Sequence, residues 1–109
     1  MRIVYNNIIP VKGFKAMNLF GVLFVRKGKT MRKVDLNHED IHTHQMKELL
    51  YVPFYLLYGI EYLIRLFMCF KPHEAYRNIS FEREAYRNQG NLQYLSNRKH
   101  YAWLKYIKS

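Results

Sequence analysis

The chain is short of cysteine and of negative charge, and each shortage excludes something. Of 109 residues one is cysteine, Cys69, so no internal disulfide can form. A reducing compartment is the simplest expectation, and the cytoplasm the expected location. Cys69 stands between Met68 and Phe70 and reads as a small core residue rather than a reactive thiol. The opening "MRIVYNNIIPVKGFK" lacks the unbroken apolar run of a signal peptide, so Sec-type export is not expected. The chain lacks internal repeats, low-complexity tracts and linkers, which leaves residues 1–109 as one domain. Eight acids face eighteen lysines and arginines, a formal charge of +10 spread along the chain. Such a surface favours nucleic acid, anionic lipid or acidic proteins. The sequence carries no nucleic-acid-binding motif, and "VRKGKTMRK" (25–33) with the tyrosine content is too little to specify nucleic acid. An anionic membrane surface remains an alternative partner.

What is abundant is apolar and aromatic. Half the residues are hydrophobic and ten are tyrosines, enough for a core whose phenol hydroxyls all need partners. "RIVY" (2–5) and "NLFGVLFVRKGKT" (18–30) read as strands. Residues 2–5 and 19–26 are expected to pair as a hairpin, with 6–18, punctuated by "NN" and Pro10, as the connection. From Asp35 the texture becomes helical: Leu36, Ile41, Leu49 and Leu50 recur at helical spacing. Asp35 serves as N-cap or as an acid near the positive helix end. Pro53 ends this helix or starts the next. "PFYLLYGIEYLIRLFMCF" (53–70) is long enough to approach a membrane span, but Glu61 and Arg65 stand near its middle, four apart. Two mid-span charges are costly in lipid, so a core helix is expected, with membrane contact as the alternative.

Residues 71–78, holding Pro72, read as a connection with room for some helical turn. Residues 80–109 read as one or two helices, with Ser80 as N-cap, Glu82 and Glu84 in the first turn, and Gly90 as a break or a tolerated residue. At the end Tyr101, Leu104 and Ile107 share one side. The expected architecture is α+β: a small antiparallel hairpin or sheet, then three or four helices.

Chemistry concentrates in "NHEDIHTH" (37–44). His38, Glu39 and His42 fit H-E-x-x-H. On a helix, residues four apart lie about 40° apart in azimuth, so both imidazoles reach one zinc ion. Glu39 can then accept a proton from water polarised by the ion. A third ligand must come from His44, His73, Glu74, Glu82, Glu84 or His100. His44 points about 200° away from His42, and Glu82 and Glu84 are equally divergent, so only one of those acids can face the metal. Tyr76, Arg77 and Tyr86 are candidate oxyanion donors, and Asn37 a candidate cap or site contact.

HExxH followed by a glutamate on a later helix resembles the gluzincin metallopeptidases, in which that glutamate opens an E-x-E-A-D or E-x-x-x-D segment. Here Glu82-Arg83-Glu84-Ala85-Tyr86 matches E-x-E-A and departs at Tyr86. Over most of residues 18–107, with "NHExIH", "YVPFY", "IEYLIR" and "AYRNISFEREAY", the chain is also similar to a group of short bacterial proteins classed with the metallopeptidases. The resemblance implies a minimal gluzincin fold and a Zn2+ cofactor held by His38, His42 and Glu82, with Glu84 as the other phase. It implies Glu39 as the catalytic base and a peptide or protein substrate. Tyr86 would replace the aspartate that orients a ligating histidine, offering a hydroxyl instead. A zinc-stapled scaffold without catalysis and a basic binding module for nucleic acid or an anionic membrane are the competing expectations.

Overall fold

The computed structural model describes residues 2–8 and 15–107. Three strands, β1 (Arg2–Asn6), β2 (Ala16–Leu19) and β3 (Val22–Arg26), precede five helices. These are α1 (Lys33–Glu48), α2 (Val52–Cys69), α3 (Pro72–Arg77), α4 (Ser80–Asn88) and α5 (Tyr94–Asn97), and a 3-10 turn at Ala102–Tyr106 follows. The class is α+β, as expected.

The sheet is mixed rather than purely antiparallel, with order β1-β3-β2. β3 does form a hairpin, but with β2, pairing Leu19 with Val22 across Phe20 and Gly21. Those two residues have φ of 52° and 88°, the left-handed geometry of a tight two-residue hairpin turn. The side-chain oxygen of Asn18 accepts the Gly21 N–H at 3.1 Å. Such a short loop closes at little entropic cost, so residues 16–19 take the near edge of β3. β1 takes the far edge and pairs parallel, Arg2 opposite Val22 through Asn6 opposite Arg26. Pro10 and the middle of the expected connection, residues 9–14, lie outside the described residues. Leu23 and Val25, alternating on β3, are fully buried.

α1 begins two residues earlier than expected. Arg32 is its N-cap, and Asp35 reaches back from the third helical position to accept the Arg32 N–H at 3.0 Å. Asp35 is therefore the returning half of a capping box, and Lys15 braces it at 2.8 Å. Leu50 and Tyr51, both at positive φ, reverse the chain into α2, with Pro53 in its first turn. Residues 72–77, read as a connection with room for some helical turn, form the short helix α3. Ile79, not Ser80, is the N-cap of α4, and α4 stops before Gly90. Glu61 supplies the missing cap from α2: its carboxylate accepts both the Ser80 N–H and the Ser80 hydroxyl at 2.6 Å.

The core is Met46, Phe54, Ile79, Phe81 and Trp103, ringed by Tyr51, Tyr55, Tyr58 and Tyr62. Phe81 sits between Phe54 and Trp103 at centroid distances of 4.7 and 4.6 Å. At the C-terminus Trp103 is the buried residue, whereas Tyr101, Leu104 and Ile107 stay exposed. The 3-10 turn has three residues per turn, which stacks those three on its outer side. α2 is not the core helix expected: Phe54 is its one fully buried residue. Its remaining apolar arc faces outward, and Cys69 is half-buried.

Candidate metal centre

α1 and α4 pack together with HEDIH on one and FEREAY on the other. The structure brings three side chains to one point. His38 Nε2 and His42 Nε2 lie 3.1 Å apart, and Glu82 Oε1 lies 3.2 and 3.0 Å from them. All three residues are buried, and together they form the cluster among the described residues able to hold a metal ion. Tetrahedral ligands at ~2.0–2.1 Å from zinc stand about 3.3 Å apart, so the triangle needs almost no expansion to accept the ion.

The imidazoles are oriented from behind. His42 Nδ1 lies 2.8 Å from Gln45 Oε1. The Gln45 amide nitrogen donates to Phe81 O and to Glu84 Oε1, both at 3.0 Å. Both of those are acceptors, so the Gln45 oxygen must face His42, and His42 Nδ1 must carry the proton. Nε2 is thereby turned to the centre of the triangle. His38 Nδ1 stands 2.7 Å from Gln89 Oε1 in the same relation. Asn37 fixes that glutamine: its amide donates to the carbonyls of Asn88, Gln89 and Asn91, capping the C-terminus of α4. Asn37 thus serves the site through α4 and makes no contact with the cluster centre. Tyr58 donates to Glu82 Oε2 at 2.5 Å, leaving Oε1 for the triangle.

Three groups with inward lone pairs repel unless a cation lies among them. Burial pulls the His42 pKa down, but the Glu82 charge and hydrogen bond outweigh it and raise it to about 9. Burial also pushes Glu82 up, and the His42 charge with hydrogen bonds from His38, His42 and Tyr58 holds it well below the carboxylate range. Without metal, a proton on His42 Nε2 occupies the centre at neutral pH.

Glu39 stands beside the cluster and lines the same cleft of about 780 Å³ as His38, His42 and Glu82. Burial pushes its carboxyl above the ordinary range, against the pull of the two histidines and of a hydrogen bond from Asn18. Phe54, Tyr58, Tyr62 and Tyr76 form an aromatic wall, and Ala16, Met17 and Asn18 of edge strand β2 form the other side.

Glu84 faces away, into an ion-paired knot with Arg98, Tyr94 and Gln45. His44 is exposed and bonded to Asp40 O, and the His100 side chain is 91% exposed. Glu74 pairs loosely with Lys71 on the surface, and His73 lies at the cleft margin. Tyr86 places its ring edge-on to His38 at 4.5 Å beneath the Arg77 guanidinium. Its hydroxyl is 3.1 Å from that of Tyr76, which reaches the cleft. The sequence reading missed Gln45, Gln89 and Tyr58. Tyr58 had a signal: it shares a helical face with Phe54 and Tyr62 at four-residue spacing.

No protein-family model, no curated protein and no solved structure matches the chain.

Proposed function

We propose that the chain is a zinc-dependent hydrolase of the gluzincin type that cleaves peptide bonds. The observation that carries this reading is the triangle of His38 Nε2, His42 Nε2 and Glu82 Oε1 opening on a cleft that also holds Glu39. Two imidazoles and one carboxylate are the donor set of catalytic zinc sites, which keep one position open, whereas structural sites are usually closed by four protein ligands. Zinc held there supplies Lewis-acid polarisation of a carbonyl and acidifies water.

The chain's own groups supply the rest. Glu39 accepts the proton of the attacking water and returns it to the leaving amine. Burial raises its pKa above the ordinary carboxylate value, which strengthens it as a proton acceptor. Burial pushes the Tyr76 hydroxyl pKa up, so it stays a donor across the working pH range. Tyr76 and Tyr86 share a hydrogen bond in which either hydroxyl can donate; with Tyr86 donating, the Tyr76 hydroxyl is free to donate to the developing oxyanion. Tyr86, the residue the sequence pattern favoured, acts through Tyr76 and through the His38 ring. An extended peptide is the substrate form that suits the cleft. β2 pairs with β3 along one edge, and its residues line the cleft, so a substrate strand can add along the other edge. The aromatic wall favours apolar side chains.

A peptide-library digest tests this. Glu39→Gln is expected to retain zinc and lose about 10²–10⁴-fold in cleavage rate. Identical cleavage profiles for the two proteins contradict the proposal.

A further inference from the structure

α2 is an inverted amphipathic helix. Its inward arc carries Phe54, Tyr58, Tyr62 and the charged pair Glu61 and Arg65, whose side chains are 19% and 15% exposed. Glu61 is spent on Ser80, and Arg65 donates to Ile107 O at 2.6 Å. The charges that argued against lipid contact therefore lie on the covered side. The outward arc carries Leu56, Ile60, Leu63, Ile64, Phe67 and Met68, and no charge interrupts it. Leu56 is 62%, Ile60 54% and Phe67 70% exposed. At 100° per residue these side chains span roughly 140° of the helix. Among the described residues the window Val52–Cys69 is 6% buried. Leu50 and Phe20, both exposed, extend the apolar surface past the N-terminal end of α2, with the Phe20 ring 5.1 Å from that of Tyr55 and tilted 59° to it.

We propose that this arc docks the protein flat on an anionic lipid bilayer. Charge selects the occupant. The chain carries +10, and Asp35, Glu48, Glu61, Glu74 and Glu84 are all engaged by lysine or arginine partners. The charge presented outward is thus mostly basic, with exposed Lys47 before α2 and Lys71, only loosely paired with Glu74 at 3.8 Å, two residues after it. Two copies meeting through this face would repel, whereas an anionic surface attracts both the lysines and the apolar arc. The helix lies in the interface and does not cross it, because its inner arc stays packed on the domain.

Co-sedimentation with vesicles tests the proposal, with or without zinc. Wild type is expected to bind equal mixtures of phosphatidylglycerol and phosphatidylcholine about tenfold or more tightly than phosphatidylcholine alone. A variant combining Ile60→Ser, Ile64→Ser and Phe67→Ser changes exposed residues only. It is expected to keep its circular dichroism and to lose at least about tenfold in binding. Ile60→Trp is expected to shift its emission to the blue on the anionic vesicles. Failure of wild type to bind either vesicle overturns the proposal, as does undiminished binding by the triple variant. A concentration-dependent dimer that the same substitutions abolish, without vesicle binding, assigns the face to a second copy and overturns it too.

Discussion

Glu82 and Glu84 lie two residues apart on α4, are both buried, and enter opposite kinds of polar centre. Glu84 meets Arg98, whose guanidinium also grips Glu48 at 2.9 and 3.0 Å, with Tyr94 closing the remaining side. Charge meets charge there, each donor has an acceptor, and nothing more fits. Glu82 meets two imidazoles whose outer nitrogens are held by glutamines, so three lone pairs converge beside a cleft. The first centre fastens α1, α4 and the C-terminal turn together. The second gathers around a cation, a proton on His42 Nε2 in the metal-free protein. Gln45 touches both, and its donations to Glu84 and Phe81 O decide which atom it shows to His42. The ion-paired knot thus sets the tautomer of His42 through Gln45.

The largest expected effect comes from breaking the closed centre. Arg98→Met strands two buried carboxylates, which must then stay charged without a partner or take up protons at a cost. Loss of about 3–5 kcal/mol is expected, read from chemical denaturation. The equivalent break at the open centre is gentler on folding and harsher on binding. In Glu82→Gln, His42 can give up its proton, so the metal-free protein loses less stability than Arg98→Met. Its zinc affinity, by competition with a chelating dye, is expected to fall by more than about 100-fold. Gln45→Met sharpens the comparison, since it leaves all three ligands in place. Zinc affinity is expected to fall about 10–100-fold, with His42 free to rotate and change tautomer.

pH separates the two centres without mutation. Glu84 is pushed up by burial but held below its ordinary pKa by Arg98 and Tyr94. Its contribution is present above the ordinary carboxylate value and lost as pH falls. His42, raised from 6.5 to about 9, contributes stability that is full below 6.5 and fades as pH rises through about 9. Metal-free protein should therefore lose melting temperature between those two values, while His42→Gln should not. The same shift means that zinc must displace a proton. Calorimetry at pH 7 in buffers of different ionisation heat is expected to show release of about one proton per ion.

How much of this was readable beforehand follows the range of each interaction. HEDIH and FEREAY mark local helical geometry, so the elements carrying the cluster and the side of α1 it uses were accessible. The α+β class was too, since the shift from strand-like to helical texture at Asp35 is local. Strand pairing was not: choosing β2 over β1 as hairpin partner hangs on one turn at Phe20–Gly21, inside a segment that reads as a continuous strand. The choice between Glu82 and Glu84 also lay beyond spacing, because Arg98, fourteen positions on, claims Glu84. α2 misled for a related reason. Its charges look central in the sequence, yet all point inward once Ser80 and Ile107 O supply partners.

The most direct measurement is the zinc content of purified protein, taken beside His42→Ala, Glu82→Gln and His44→Gln. The account requires one zinc per chain in the wild type and in His44→Gln, whose imidazole is exposed, and loss in the other two. Wild-type protein without zinc, or equal zinc in all four, would contradict it.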